Sequence, residues 1–409
     1  MQCCIAGGGP AGMMLGVLLA RAGVSVTVLE QHKDFLRDFR GDTVHPSTMT
    51  IIDELGWLDD FLKLPHQKVP TLAVNFGSTR LTVADFSKLS VKAPYIAMMP
   101  QWDFLNFLAG KGRTYPNFKL LMNTQALDLV VQDGRVGGIR ALSGSTEFVL
   151  EADLVVAADG RGSGLRAAAG LMPQDFGAPM DVLWFRLPRD LSDTDQSQGR
   201  FDTGRIFIML NRGDYWQCAF VIPKDGDAKV RAAGLDVFRK SVAQLLPFDG
   251  ARVSAITDWD QVKLLTVKID RLTEWARPGL LCIGDAAHAM SPVGGVGINL
   301  AVQDAVAAAN VLAAPLRENR LTFADTQKVQ ARREFPTRMI QSMQIFMQSQ
   351  MIAPALSGRT AIKPPLPLRV LLNTPLLRTL PARFVGLGVR PEHVATPDTA
   401  SFAEPAAAH

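Results

Sequence analysis

The spacing of hydrophobic residues changes twice within the first thirty positions of the chain. Gln2–Ala6 is an apolar run of strand length, and Met13–Ala22 is almost wholly apolar, as in a buried helix. Between them Gly7–Gly12 is a glycine-rich turn, and Val24–Leu29 is rich in β-branched residues, which predicts a second strand. Strand, turn, helix and strand form a βαβ unit, whose parallel strands favour a doubly wound α/β sheet.

Two kinds of sheet alternate along the rest of the chain. Short alternating β segments occupy 71–96 and 182–222, a pattern typical of a mostly β domain. Buried-strand runs return at Leu154–Ala158 and Leu280–Ile283, the second before an alanine-rich helix. This order predicts a discontinuous α/β domain with a mostly-β domain inserted in it, and then a proline-rich C-terminal segment. The predicted bounds are 1–69, 97–175 and 268–355 for the α/β domain, 70–96 and 176–267 for the inserted domain, and 356–409 for the C-terminal segment.

The composition is that of a folded protein with a large core and an almost balanced charge. Of 409 residues, 47% are hydrophobic and 20% are charged. A net charge of +4 over this length does not predict a nucleic-acid-binding surface. The four cysteines, at positions 3, 4, 218 and 282, lack metal-ligand spacing, so we expect no metal site.

The N-terminal apolar run differs from a secretory leader. The first basic residue, Arg21, comes only towards the end of this region, and a leader needs its positive charge before the apolar run. No stretch of about 18 uninterrupted apolar residues occurs, so we expect no membrane span. The sequence therefore predicts a cytoplasmic protein.

A dinucleotide-binding fingerprint lies between the first strand and the first helix. Gly7, Gly9 and Gly12 have the G-x-G-x-x-G spacing, in which the first permits a tight turn, the second admits a pyrophosphate and the third lets helix and sheet pack closely. The amide groups and dipole of the helix N-terminus then face the phosphates. Glu30, at the end of the second strand, can accept hydrogen bonds from an adenosine ribose. The fingerprint predicts a Rossmann-type domain but does not by itself choose FAD over NAD, and a glycine turn can also serve only as a connection.

Two further loops distinguish between FAD and NAD as the expected cofactor. One strand ends in Asp159-Gly160, and a later strand ends in Gly284-Asp285 before a second glycine-rich turn and a helix. In order and spacing these resemble the DG and GD motifs of the class A flavoprotein monooxygenases, the family of para-hydroxybenzoate hydroxylase. Arg40 and Gln101 match the family's arginine after the first βαβ unit and its position opening the helix after the first β insertion. The resemblance extends from residue 1 to about residue 350.

The resemblance implies a site for FAD. The fingerprint and Glu30 hold the ADP half, Arg40 and Gln101 reach the pyrophosphate and ribityl region, and the backbone of the strand before Asp128 contacts adenine. Asp285 binds the ribityl region, and 292–299 surrounds the isoalloxazine, where the start of a helix faces flavin N1 and O2 and stabilises the anionic reduced ring. The residues assigned to FAD are Gly7, Gly9, Pro10, Ala11, Gly12, Glu30, Gln31, Arg40, Gln101, Ala126, Asp159, Gly160, Asp285, Pro292, Gly295, Val296, Gly297, Ile298 and Asn299.

The resemblance also implies an activity. Such an enzyme takes electrons from NADH or NADPH and uses O2, through a flavin C4a-hydroperoxide, to hydroxylate an apolar aromatic or heteroaromatic substrate. Pro292 and Gly295 would border the peroxide, and no motif fixes a catalytic base. The absence of a second G-x-G-x-x-G fits a donor that docks transiently. Two alternatives remain, a flavin reductase or saturase of the same fold that acts without O2, and a non-enzymatic flavin-binding redox module.

Several side chains have two interpretations. Trp184, Trp216 and Phe220 could line the substrate site, although packing within the inserted domain's own core is favoured for them. His288 is more simply a packed or hydrogen-bonded residue than an acid–base group, and Arg166 is as readily a solvated or structural arginine as a functional one. The segment 356–409 is expected to cap the FAD-binding domain or to mediate self-association as a homodimer, with contact to a membrane surface less favoured.

Overall fold

The structure is a computed structural model and describes residues 1–36, 43–76, 79–202, 204–358 and 379–399. The strands are β1 (Gln2–Ala6), β2 (Ser25–Leu29), β3 (Thr43–Val44), β4 (Gln67–Val69), β5 (Thr71–Phe76), β6 (Thr79–Asp85), β7 (Ile96–Met98), β8 (Phe118–Leu121), β9 (Thr124–Gln132), β10 (Arg135–Ser143), β11 (Thr146–Glu151), β12 (Leu154–Ala157), β13 (Pro173–Asp175), β14 (Met180–Pro188), β15 (Gln198–Asp202), β16 (Arg205–Asn211), β17 (Tyr215–Pro223), β18 (Lys263–Leu265), β19 (Asp270–Leu272), β20 (Ala276–Arg277) and β21 (Leu280–Cys282). The helices are α1 (Pro10–Arg21), α2 (Pro46–Glu54), α3 (Leu58–Phe61), α4 (Gln101–Gly112), α5 (Gly164–Ala168), α6 (Asp227–Ala232), α7 (Leu235–Ala243), α8 (Gly297–Arg317), α9 (Phe323–Met347), α10 (Ala353–Ser357) and α11 (Thr379–Gly386), with a π-helical turn at Gln348–Ile352 between α9 and α10.

A six-stranded sheet of order β20-β21-β12-β1-β2-β8 forms the centre of the α/β domain. Its five consecutive strands from β21 to β8 are parallel, and only β20 pairs antiparallel. The apolar runs noted in the sequence are buried because helices cover this sheet, and α1 and α8 pack against each other beside it. Since the carboxyl ends of parallel strands share one edge, the loops after β1, β2, β12 and β21 meet there.

The inserted domain is a seven-stranded sheet of order β18-β14-β17-β16-β15-β5-β6. Its strands come from two separate stretches of the chain, 71–85 and 180–265, and all neighbours are antiparallel except β5 and β15. One face packs against α7 around Phe185 and Trp216. The other face packs against Ile352 and Val293, which belong to the α/β part of the chain. The fold class inferred from the sequence is therefore confirmed.

Local sequence features explain where several elements begin. The expected first helix starts at Pro10 and not at Met13, because proline suits the first helical position and Gly9 serves as the N-cap in an extended conformation. The turn between β9 and β10 uses Asp133 at φ +49° and Gly134 at φ +74°, left-handed conformations that these two residue types tolerate. An Asp-Gly dipeptide is typical of such a hairpin turn.

The described C-terminal stretch, 379–399, contacts both the inserted domain and the α/β domain. Helix α11 packs on Phe86 and Leu89 through Ala382, and Val394 packs on the main core. Within the described residues, one helical stretch, Val293–Arg317, is long and apolar enough to cross a membrane, and 83% of its most apolar window is buried in the protein. The core helix of a globular domain has these same properties.

Candidate active site

Three loops that follow parallel strands come into contact at the carboxyl edge of the six-stranded sheet. We call them the first glycine loop (7–9, after β1), the DG loop (159–163, after β12) and the GD loop (284–288, after β21). A Cβ on Gly7 would lie 2.3 Å from the Ala158 carbonyl oxygen, so the first two loops touch. A Cβ on Gly284 would lie 3.1 Å from the Cβ of Ala11, so the GD loop packs against the start of α1.

The first glycine loop has the shape that a pyrophosphate site requires. Gly7 is left-handed at φ +108°, and a Cβ on Gly12 would lie 2.0 Å from the Gly7 carbonyl oxygen, so neither position accepts a side chain. At Gly9, by contrast, no described atom lies within 4 Å of where a Cβ would stand. The first N–H groups of α1, those of Ala11 and Gly12, have no intrahelical acceptor and border this open space, whereas Met13 already donates to the Gly9 carbonyl at 2.9 Å.

Glu30 is fixed by backbone donors at the end of β2. Its Oε2 accepts from the Gly8 amide at 3.1 Å, its Oε1 accepts from the His32 amide at 3.0 Å, and it is 7% exposed. The Thr124 amide donates to the Glu30 carbonyl at 2.8 Å, which brings the start of β9, and hence Ala126, to the same edge. Gln31 is exposed beside this carboxylate.

Asp159 contains a polar atom without a hydrogen-bond partner. Its Oδ2 accepts from the Leu165 amide at 3.4 Å, whereas its buried Oδ1 has no hydrogen-bond donor among the described residues. Burial raises the pKa of Asp159, against hydrogen bonds from Ser163 and from nearby amides that lower it. A buried acceptor without a donor lowers the stability of the protein, and a hydroxyl group of a bound ligand would supply that donor. Together with the open space at Gly9, it fits the sugar and phosphate groups of FAD.

Two arginines join the DG and GD loops. Arg161 Nη2 donates to Asp285 Oδ2 at 3.2 Å, so the carboxylate assigned to FAD already has one charged partner. Arg166 is 8% exposed and donates from Nη1 to the Ala286 carbonyl and from Nη2 to the Arg161 carbonyl, each at 3.0 Å. Arg166 is therefore held inside the protein by two carbonyl groups and is not a solvated arginine.

The stretch 291–296, which we call the second glycine loop, leads from the GD loop into α8. Gly294 and Gly295 are left-handed at φ +81° and +62°. The side chain of Gln344 on α9 donates from Nε2 to the carbonyls of Ser291 and Val293, both at 2.9 Å, and so holds the loop in place. Helix α8 begins at Gly297, where no described atom lies within 4 Å of the place a Cβ would take. The N–H groups of its first turn have no acceptor within the helix.

Asn299 connects the second glycine loop to the segment before α2. Its Oδ1 accepts from the His45 amide at 2.8 Å and from Thr48 Oγ1 at 2.7 Å, and its Nδ2 donates to the Thr43 carbonyl at 3.3 Å. Thr43 in turn donates from Oγ1 to the Gly295 carbonyl at 2.7 Å. The side chain of Asn299 is thus occupied within the protein, which leaves its backbone as the group able to face FAD.

His45 is a buried residue of this site that the sequence analysis did not single out. It is fully buried, and its Nδ1 donates to the Val385 carbonyl of α11 at 2.8 Å. Burial lowers the pKa of His45 to about 4, although that hydrogen bond raises it, so the ring is neutral at pH 7. The only signal in the sequence was its place beside Pro46 at a helix start, which does not distinguish it from any N-cap residue.

His288 lies in a buried ionic cluster and not at an open site. Its Nε2 donates to Asp304 Oδ2 at 2.5 Å, and Trp275 lies 5.0 Å away between ring centroids. The same carboxylate accepts from the Gly284 amide at 3.1 Å and from Arg333 Nε at 2.9 Å. The expected hydrogen-bonding role of His288 is confirmed.

The three aromatic residues proposed as a substrate wall lie on two opposite faces of the seven-stranded sheet. Trp216 is fully buried against α7 and donates from Nε1 to Asp193 at 3.0 Å, and Phe220 packs edge-on to Phe238 in the same core. We therefore withdraw Trp216 and Phe220 as substrate contacts, because that face is closed by α7. Trp184 lies on the other face, in the cluster that includes Val293 of the second glycine loop.

Gln101 and Arg40 are the two expected FAD residues not yet placed. Gln101 is the first residue of α4, just after β7. Strand β7 pairs with β3, and in this pairing Met98 stands opposite Thr43. This brings the start of α4 towards the segment that Asn299 holds. Arg40 lies outside the described residues.

Comparison with known proteins agrees with this geometry. The family described as an FAD binding domain matches residues 1–342. The 6-methylpretetramide 4-monooxygenase of Streptomyces rimosus is 32% identical over 88% of this chain and 86% of its own, and the para-nitrophenol 4-monooxygenase of a Pseudomonas species (strain WBC-3) is 27% identical over 78% and 79%. The chain belongs to the FAD-dependent aromatic monooxygenases.

Solved structures of such enzymes share the fold. The anhydrotetracycline hydroxylase OxyS of Streptomyces rimosus superposes with a TM-score of 0.75 at 21% identity, covering 95% of this chain and 77% of that one. The p-nitrophenol 4-monooxygenase PnpA of Pseudomonas putida DLL-E4 gives 0.71 at 22% identity, with 93% of each chain covered. From the family match and the sequence relatives, the protein is an FAD-dependent monooxygenase, and FAD is its cofactor.

Proposed function

We propose that the substrate is an apolar aromatic molecule bearing an oxygen atom, such as a phenol, bound between the seven-stranded sheet and the second glycine loop. The observation that carries this is Trp184, whose buried Nε1 has no acceptor among the described residues. An indole N–H that is buried without a partner is costly, and a substrate oxygen would satisfy it. The apolar cluster around Trp184 favours an aromatic ring.

The strand register around Trp184 supports room for a ring. Across the sheet, Trp184 stands opposite Ala219, Ala219 opposite Ile208, and Ile208 opposite Gly199. Small residues therefore alternate with large ones along this row, which leaves space on the sheet surface beside the indole ring. The name of the relative from the Pseudomonas species, para-nitrophenol 4-monooxygenase, specifies a phenol.

The residues of the chain have separate tasks in this proposal. When bound, FAD supplies the redox chemistry that takes electrons from NADH or NADPH and activates O2. The first glycine loop, Glu30, Asp159 and Asp285 hold the cofactor, while Pro292 and Gly295 lie in the loop that borders its reactive ring. Trp184 orients the substrate oxygen, and the apolar cluster excludes water from the site. No side chain is assigned as a general base.

The test is oxidation of NADH or NADPH by the purified FAD-loaded protein, with and without a set of phenols and heteroaromatic compounds. We expect at least one phenol to accelerate the oxidation and to yield a product heavier by one oxygen atom, with labelled oxygen incorporated from 18O2. A set that never stimulates oxidation would contradict hydroxylation. Turnover that continues unchanged without O2 would instead indicate the reductase or saturase alternative.

A further inference from the structure

A line of buried charges runs from the GD loop to the C-terminal segment 379–399. It consists of Asp304 on α8, Arg333 on α9 and Glu392, whose side chains are 0%, 1% and 4% exposed. Arg333 Nε donates to Asp304 Oδ1 at 2.9 Å, and its Nη1 lies 3.8 Å from Glu392 Oε1. Ions this deeply buried are stable only while each one keeps its counter-ions.

At one end, the line holds the FAD-binding GD loop. Asp304 Oδ2 accepts from the Gly284 amide and from His288, so this single carboxylate fixes both ends of 284–288. Burial disfavours the ionised form of Asp304, but His288 and Arg333 outweigh it and hold the pKa of that carboxyl below its usual range. The carboxylate is therefore charged, and its orientation depends on Arg333.

At the other end, Glu392 is fixed by two helices. Its amide donates to the Gln303 side chain on α8, and its Oε1 accepts from Arg332 Nε on α9 at 2.8 Å. Arg332 is half exposed and makes the closer ion pair with Glu392, with its Nη2 2.6 Å from Oε2. With both arginines and both carboxylates present the formal charges cancel, whereas loss of the Glu392 charge leaves two neighbouring arginines facing one carboxylate.

We propose that Glu392 is a positioning residue for FAD, which acts through Arg333 and Asp304 on the GD loop. It lies beyond residue 342, where the match to the FAD binding domain family ends, so the C-terminal segment completes the cofactor site. The proposal rests on FAD binding and not on the identity of the substrate. If Glu392 loses its charge, Arg333 is repelled by Arg332 and shifts, and the GD loop loses order.

The experiment compares FAD affinity and stability in apoprotein variants. We expect Glu392→Gln to raise the FAD dissociation constant about tenfold, the size of coupling that such networks carry. Glu392→Asp, which restores the charge, should recover most of that affinity. The matched control is Asp398→Asn, which removes a carboxylate from the same segment at its ion pair with Arg21, 3.4 Å away, and should leave FAD affinity unchanged.

Three results would overturn the proposal. They are an unchanged FAD affinity in Glu392→Gln, an equal loss in Asp398→Asn, or a Glu392→Asp protein that binds no better than the glutamine variant. If Glu392→Gln does not fold, the double variant Arg332→Gln/Glu392→Gln decides. Without the repelling arginine it should fold and bind FAD within about threefold of the wild type, and a loss of about tenfold or a failure to fold would contradict the proposal. Failure to hydroxylate any phenol would contradict the proposed substrate but leave this test intact.

Discussion

At the scale of single residues, glycine has two different uses in the first glycine loop. Gly7 is required for the fold, since its backbone is left-handed and a side chain would collide with Ala158. Gly9 has an ordinary φ of −74° and open space where its side chain would be, so the protein itself does not require glycine there. The requirement at Gly9 then comes from the ligand that approaches it.

This difference yields a prediction for two alanine variants. The free energy of unfolding of Gly9→Ala should lie within about 0.5 kcal/mol of the wild-type value. The variant should nevertheless bind FAD at least about tenfold more weakly, because the new methyl group occupies the space of the phosphates. Gly7→Ala should instead destabilise the fold. Thermal unfolding of the apoproteins and FAD titration measure both effects, with Gly110→Ala, at another open position on α4, as the control. A Gly9→Ala protein with wild-type affinity would contradict a phosphate site at Gly9.

His45 leads to a prediction about pH. Its folded-state pKa is about 4, below the ordinary value of 6.5, so the unfolded chain takes up a proton at higher pH than the folded one. Stability is therefore fully present above pH 6.5 and is lost as the pH falls towards 4, by up to about 3 kcal/mol from this residue. Denaturant unfolding at a series of pH values measures it.

One variant isolates that contribution. His45→Gln should flatten the pH dependence of the unfolding free energy between pH 6.5 and 4, because it removes the group whose pKa differs between the folded and unfolded chain. Equal slopes in the wild type and in His45→Gln would mean that His45 is not held neutral by burial.

Trp184 gives a prediction about substrate recognition. Trp184→Phe keeps an aromatic ring but removes the N–H, so KM for a stimulating phenol should rise about three- to tenfold, equivalent to about 1 kcal/mol. Trp216→Phe removes an equivalent N–H on the closed face of the sheet and should lower stability without changing KM. Steady-state kinetics with both variants decide, and an unchanged KM in Trp184→Phe would remove the indole from the substrate site.

At the scale of elements, the start of α8 is the part of the site with the clearest electrostatic role. Its first-turn amides and helix dipole present positive charge next to the second glycine loop. Gly297→Asp places a carboxylate there and should lower the reduction potential of bound FAD by on the order of 20–60 mV, because it opposes the anionic reduced ring. The isosteric Gly297→Asn is the control, and potentiometric titration makes the measurement. Equal potentials in both variants would place the flavin ring away from α8.

Hydrophobic period predicted most elements, but not which face of a strand meets the ligand. Alternation along β17 places Trp216 and Phe220 on one face of the sheet, but it carries no information on whether α7 or the second glycine loop covers that face. Which segment covers each face depends on the path of the chain after Pro223, and the residues of the strand itself do not determine that path. The turns that contain Gly7, Asp159 and Asp285 could be predicted from the sequence because a strand end and the glycine beside it are local features.

At the scale of the whole molecule, contacts between distant parts of the chain complete the site. Asn299 and Thr48 are 251 positions apart, His45 and Val385 are 340 apart, and none of these pairs has a local sequence signature. Sequence spacing therefore identified the loops that meet at the carboxyl edge of the sheet but not the polar contacts that hold them. Self-association as a homodimer stays a prediction, to be checked by the mass of the protein in solution.

The central claim is that the three loops grip a dinucleotide, with the ADP half held by the first glycine loop and Glu30. Titration of the apoprotein with FAD and, separately, with FMN tests it most directly, since FMN has the reactive ring without the ADP half. We expect one FAD bound per chain, with the visible spectrum of a protein-bound flavin, and far weaker binding of FMN. Binding of FMN as tight as that of FAD, or a protein that stays colourless with both, would contradict the account.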